Sequence, residues 1–308
     1  MCCGLTLTII SLKKPKHELI EIHFNVRKGL EMKIIAQCAV NTTVQRNNDI
    51  LVSETVYIDR NFEAKGFIYA NVHNLKMQDA FYEILNTQNT QISDDIYHLT
   101  FVPGTKAFID GKKAFSHLTK TEHERMAKYL INQCINGVIQ AESYIYADRG
   151  FISKEQYNLF WDKIEKDGCR LYRYPSPEDK RWMDYIPQKN REKTLFNRHK
   201  TSTIIKRENT LECISVFIDS YHELNLIIYC NAKTGIISDC EIEYSRAPGA
   251  ACYTNKTHSY KLKGKSIYKL TKKEILSFFG FSEGCYHLVE MASDICRILS
   301  EHINDKAF

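Results

Sequence analysis

One pattern occurs twice in this chain, 160 residues apart, and it restricts the possible folds more than any other feature. The first copy reads Val56-Tyr57-Ile58-Asp59 and then Gly66-Phe67-Ile68-Tyr69-Ala70-Asn71; the second reads Val216-Phe217-Ile218-Asp219 and then Leu226-Ile227-Ile228-Tyr229-Cys230-Asn231. Asp79 with Asp239 and Glu83 with Glu243 keep the same offset. Further on, Gly111-Lys112 matches Gly264-Lys265, Leu118-Thr119-Lys120 matches Leu270-Thr271-Lys272, and Cys134 matches Cys285, with the small drift that loop insertions produce. A chain of 308 residues has room for two domains, each with its own core. The expected division is a first repeat over 1–148, a helix and extended linker over 149–194, and a second repeat over 195–308.

Each copy opens with short runs rich in Ile, Leu, Val and Thr, broken by charged turns, which read as strands. In the first copy these are 5–12, 20–26, 32–40, 50–59 and 64–72; in the second they are 211–219, 224–231 and 236–244. Each copy then turns helical. Thr119 with Glu122 and Thr271 with Glu274 have capping-box spacing, in which hydroxyl and carboxylate satisfy exposed backbone donors. Helices are expected near 121–147, over 272–279 with a stop at Gly280, and over 283–301. The last has Leu288, Val289, Ala292, Ile295, Cys296 and Leu299 on one face. Between the copies, Ser153 to Asp167 reads as an amphipathic helix ending at Gly168, followed by a Pro-containing aromatic stretch. The fold class is α+β: two related halves, each a small antiparallel sheet with helices packed on one face.

Composition excludes several classes of function. The net charge of +5 is mild. The basic run Lys189, Arg191, Lys193, Arg198, Lys200, Lys206, Arg207 reads as a solvated linker or strand edge, so nucleic-acid binding is not expected. No apolar stretch reaches the ~20 residues that span a bilayer, and Leu5 to Leu12 reads as a first strand, not a signal peptide. The 11 cysteines are odd in number, scattered, and free of Cys-x-x-Cys pairs. That pattern fits buried free thiols in a reducing, cytoplasmic compartment. Dinucleotide and phosphate-loop glycine motifs and His-Glu-x-x-His are absent.

The densest reactive groups are Arg246-Ala247-Pro248-Gly249-Ala250-Ala251-Cys252 and Gly284-Cys285-Tyr286-His287-Leu288-Val289-Glu290. A thiol opening a helix faces unpaired N–H groups, which favour thiolate, so Cys285 is a candidate low-pKa thiol. His287 is a candidate base or ligand, and Glu290 a candidate to fix its tautomer. At 100° per residue Cys285 points with the apolar stripe and the other two away from it. The three converge only if Cys285 sits in the turn before the helix. The bland alternative is a packed Cys285 and an exposed His–Glu pair. The first copy keeps Cys134 but has Asn136 opposite His287 and Ile139 opposite Glu290. If there is a site, the first copy is its degenerate partner.

The last third resembles the bacterial family catalogued as domain of unknown function 2889. The residues that carry this are Arg246-Ala247-Pro248-Gly249 with Cys252, His258 before Leu262-Lys263-Gly264-Lys265, and Gly284-Cys285-Tyr286-His287-Leu288-Val289-Glu290. The resemblance brings no activity with it. A weaker one is to the iron–sulfur scaffold fold of IscU and NifU, on a strand leading to a cysteine loop, Gly264-Lys265-Ser266, and a helix opened by Cys and His. It implies thiolate ligation of a cluster or transition metal.

Three readings follow. The first is a metal- or sulfur-handling protein with Cys252, Cys285 and His287 as ligands and either a transition metal or an iron–sulfur cluster bound. The second is a non-catalytic binding or assembly module with a protein partner, in which the motif is structural. The third is an enzyme with Cys285 as nucleophile, His287 as base and Glu290 in support, where Arg246 and Gly249 bind a small acyl or thioester substrate.

Overall fold

In the computed structural model, which describes residues 32–88, 95–99, 104–108, 110–186 and 191–304, alternation of apolar and polar residues builds one broad sheet. The strands are β1 (Met32–Asn47), β2 (Ile50–Asp59), β3 (Phe62–Asn71), β4 (Met77–Thr87), β5 (Ile96–His98), β6 (Thr194–Arg207), β7 (Thr210–Asp219), β8 (Glu223–Asn231) and β9 (Ile237–Arg246). The helices are α1 (Gly111–Ala114), α2 (Glu122–Ala141), α3 (Lys154–Ile164), α4 (Arg170–Arg173), α5 (Ala250–Tyr253), α6 (Lys272–Phe279) and α7 (Tyr286–Asn304). Short 3₁₀ turns lie between some of them. The expected strands at 5–12 and 20–26 lie outside the described residues.

The strand order is β5-β4-β3-β2-β1-β6-β7-β8-β9, with every neighbouring pair antiparallel. It reads outward from the β1–β6 pair in the same sense on both sides. β1 and β6 run together from Met32↔Arg207 to Gln45↔Thr194, so the strands close into a single sheet where two small ones were expected. The 160-residue offset persists in the backbone. β2 and β7 have matching limits, and left-handed turn residues recur at Asn48 (φ 53) and Glu208 (φ 50). They recur again at Leu75 (φ 55) and Gly235 (φ 70), where glycine relieves a conformation that costs a side chain energy.

Alternate residues of each strand are buried on one face: Val40, Thr42 and Val44 of β1, Leu51, Ser53 and Tyr57 of β2, and Arg198, Lys200, Ser202 and Ile204 of β6. α2 and α7 cover that face. α2 lies so close that a Cβ on Gly66 would meet Leu130 Cβ at 2.7 Å, and one on Gly137 would meet Thr42 at 2.9 Å. Cys134 is fully buried in this contact, with its thiol 3.3 Å from Thr55 Oγ1 and 3.2 Å from the Gly66 carbonyl. Burial pushes it up to about 12, an inert packing thiol.

Helix starts follow the sequence with two corrections, at α2 and at α7, which begins at Tyr286 where 283 was expected. α6 is capped as expected by Thr271 and Glu274. α2 is capped by Thr121 and Glu124, two residues beyond the predicted Thr119 and Glu122. Thr-x-x-Glu spacing occurs twice in a row here, and spacing alone does not choose. Ser153 caps α3 through the Gln156 N–H. The segment expected to be extended folds back: Tyr157, Trp161 and Met183 form a small core, and Trp182 packs edge-on to Tyr221 with ring centroids 4.8 Å apart.

Candidate functional site

The turn from β7 to β8 is organised by one carboxylate. Asp219 Oδ1 accepts from the backbone N–H of Tyr221 (2.8 Å) and His222 (2.8 Å) and from His222 Nδ1 (3.1 Å). Its Oδ2 accepts from Arg198 Nε (3.3 Å) and Nη2 (2.9 Å). Asp and Ser are turn formers because a short polar side chain can satisfy the backbone two or three residues ahead. Here the same carboxylate also neutralises a guanidinium that is 5% exposed. Burial alone would raise the Asp219 carboxyl, but His222 and then Arg198 outweigh it and hold it well below the usual carboxylate range. Arg246 Nη2 donates to the carbonyls of Asp219 (2.5 Å) and His222 (3.3 Å). In the sequence Arg246 reads as a substrate clamp; in the fold it ties down this turn.

α7 brings the second part. Its first residue is Tyr286, so Cys285 lies in the turn before it, the one placement that allows convergence with His287. Cys285 Sγ is 3.6 Å from His287 Nδ1. The His287 ring stands 4.0 Å from the His222 ring and 4.7 Å from Phe217, centroid to centroid. Ligand atoms of Asp219, His222 and His287 all fall within 4.8 Å of one another, the one such group of three among the described residues. Burial first, and then the neighbouring His222, hold His287 well below its ordinary range, so its imidazole is neutral and keeps a lone pair. Cys285 corrects an expectation. Burial raises its thiol, and hydrogen bonds from Tyr244 and the α7 backbone offset this only partly. The helix-start field is present, but desolvation is the larger effect.

Glu290 also departs from its expected role. Its Oε1 accepts from Lys200 Nζ at 2.6 Å, and Asp294 Oδ2 accepts from the same ammonium at 2.9 Å. Tyr129 Oη completes the shell at 3.1 Å. His287, Glu290 and Asp294 follow i, i+3, i+7 spacing, one stripe of a helix. That stripe lies over Arg198 and Lys200, which alternate on the helix-facing side of β6. Lys200 is 3% exposed, so part of the basic run that reads as solvated is among the most buried charge in the chain. Burial opposes the Lys200 ammonium, yet Asp294 and Glu290 raise its affinity for the proton, and the Glu290 carboxyl is lowered to about 2.

The Pro-Gly bend lies beside this group and contributes none of its three members. Cys252 is 9% exposed, and its backbone N–H donates to the Gly249 carbonyl at 3.0 Å. Burial, and then the nearby Cys285, push its thiol up to about 12. His258 is buried, and desolvation lowers it to about 4. Gly249 is extended, and a Cβ there would meet Asp179 Oδ1 at 2.0 Å. Asp179 accepts from the N–H groups of Ala250 and Ser176, so it has little freedom to retreat. Gly249→Ala is therefore expected to cost about 1–3 kcal/mol by overpacking, read as a lower urea midpoint at unchanged m-value.

The sequence reading missed Arg198, Lys200, Asp219, His222 and Asp294. The available signals were the same-face spacing of Arg198 and Lys200 and the heptad step from His287 to Asp294.

Residues 206–300 match the model of a family described as protein of unknown function, DUF2889. This span contains all three members of the group, Asp219, His222 and His287, while Arg198 and Lys200 lie outside it. No curated protein matches the chain. No solved structure matches it either. Among the described residues, no helix is long and apolar enough to cross a membrane.

Proposed function

We propose that the C-terminal half of the chain binds a single transition-metal ion at Asp219, His222 and His287, and that the protein is metal-handling. The observation that carries this reading is the convergence of two imidazoles and a carboxylate, from a β-turn and a helix, within 4.8 Å. Nitrogen and carboxylate donors suit zinc and its neighbours in the series. The Asp219–His222 hydrogen bond at Nδ1 holds the two side chains in a fixed relation. Cys285, 3.6 Å from His287, is the nearest thiol donor. Cys252, expected as a ligand, lies outside the three-residue group and enters the reading only as a neighbour of Cys285.

The N-terminal half is its degenerate partner in this reading. It keeps Asp59, which caps its own turn through the N–H groups of Asn61 (2.7 Å) and Phe62 (2.8 Å). At the matching offsets it has Phe62 for His222, Cys38 for Arg198 and Asn136 for His287. The recurrence of strand limits and left-handed turn residues 160 apart supports two related halves that share a sheet.

Protein purified without oxygen and then dialysed against Zn2+ should retain about one ion per chain after gel filtration. His222→Ala and His287→Ala should retain less than a fifth of that. Acid-labile sulfide, assayed on the same samples before dialysis, separates a single ion from an iron–sulfur cluster. In the Co2+ form, a sulfur-to-metal charge-transfer band lost in Cys285→Ser would add the thiol to the ligand set. Full retention of metal by His287→Ala would overturn the assignment.

A further inference from the structure

The sheet face opposite the helices carries a shallow groove of about 440 Å³ beside the β7–β8 turn, lined by Asn41, Thr43, Arg191, Asn197, His199 and Ser220 together with their strand neighbours. We propose that this groove binds the oxyanion of a small ligand, a carboxylate or a phosphate, with Arg191 as the charged donor. This site is separate from the metal reading and does not depend on it.

Arg191 is half-buried and has no carboxylate partner among the described residues. Its Nη1 donates to the Leu195 carbonyl at 2.8 Å, and the guanidinium lies over the Tyr144 ring at 4.8 Å. These contacts hold the side chain in place while using one of its five N–H donors. The two asparagines are committed at their acceptor ends. Asn41 Oδ1 is taken by His199 Nδ1 at 2.5 Å, and Asn197 Oδ1 by Thr43 Oγ1 at 3.1 Å. Each therefore leaves its amide N–H2 without a partner among the described residues. The only acid in the lining is Asp219, whose side chain is 0% exposed and accepts five hydrogen bonds from protein donors. The groove thus offers a preorganised cation and two amide donors, with no accessible carboxylate against them. Such a surface favours an anion, and the guanidinium fork matches carboxylate and phosphate geometry.

The other half of the chain supplies a contrast. The groove at the corresponding place, 160 residues earlier, has polar Gln37, Thr201 and Arg60 together with Asp59 in an otherwise apolar lining, and Gln37 Nε2 already donates to Thr203 Oγ1 at 3.2 Å. There the amide is committed and a partly exposed carboxylate, Asp59, lines the groove with Arg60, so the uncommitted donors of the C-terminal groove are not repeated.

Thermal melting and calorimetric titration with inorganic phosphate and with malonate, at constant ionic strength set by chloride, test the assignment; constant ionic strength removes general screening effects. The wild-type chain should show a saturable response to at least one probe beyond chloride, and the identity of the responding probe separates phosphate from carboxylate recognition. Arg191→Gln should weaken that binding at least ten-fold while its melting temperature without ligand stays within a few degrees of wild type. If Arg191→Gln does not fold, Asn41→Ser/Asn197→Ser, at two positions on the open face, should weaken binding several-fold. His287→Ala should bind the probe as wild type does, which separates this site from the metal group. No saturable response in the wild type, unchanged binding in Arg191→Gln, or loss of binding in His287→Ala would each overturn the proposal.

Discussion

Asp219→Ala should destabilise the protein by about 3–5 kcal/mol, the range for removing one partner of a buried ion pair. The carboxylate accepts two backbone N–H groups, one imidazole and both arms of Arg198, and its side chain is fully buried. Its loss leaves the Arg198 guanidinium, 5% exposed, against Phe196 and Phe217 with no counter-charge. It also frees the turn that positions His222. For a chain of this length the melting temperature should drop by roughly 10 °C. Arg198→Met combined with Asp219→Leu removes both charges together and should recover much of the loss. Urea unfolding of the single and double variants measures this, and a single-variant loss below about 1 kcal/mol would contradict the assigned role. The acid dependence has a definite sign. The Asp219 pKa is depressed in the folded state, so its contribution is complete above the unfolded value near 3.9 and is lost as pH falls toward the folded one.

Lys200→Met is the second large effect, again about 3–5 kcal/mol, because two carboxylates lose their shared ammonium. Lys200 joins β6 to α7 through Glu290 and Asp294 and reaches α2 through Tyr129, so the loss falls where both helices meet the sheet. The pH profile carries the diagnostic signature. In the wild type Glu290 sits at about 2, below its unfolded value near 4.3, so its contribution is held above pH 4.3 and lost on acidification toward pH 2. Without Lys200, burial raises the folded-state pKa of Glu290. The variant should then gain stability relative to wild type as pH falls from 7 to 5, because its folded state now takes up the protons. Denaturant midpoints at four pH values would show this crossing trend. Parallel profiles would mean that Lys200 carries no charge compensation.

Much of the scaffold is legible in the residues. The 160-residue repeat locates β2, β3, β7 and β8 to within a residue or two, because hairpin strands follow from period-two alternation and local turn chemistry. The Thr271–Glu274 box marks the start of α6, whereas α7 begins at Tyr286, three residues beyond the expected 283. The hairpins and the box rest on interactions between residues a few positions apart. The site was only half legible. Cys285 and His287 are in contact, one of the two arrangements the spacing left open, but the nearest carboxylate to the imidazole is Asp219, 68 residues away in the chain, while Glu290 turns to Lys200. The thiol, expected to be activated by a helix start, is instead raised by burial, since the tertiary shell decides how much solvent remains around it.

By itself, the sequence determined the repeat, the hairpins and the capping box that opens α6, since all of these rest on spacing along one stretch of backbone. Only the tertiary structure decided that β1 and β6 join the halves into one sheet and that two members of a basic run are buried under an acidic helix stripe. It also decided that a turn carboxylate, not the helix glutamate, stands beside His287. Charge in a protein interior is tolerated only where an opposite charge is brought to meet it, and that meeting is set by how distant elements pack.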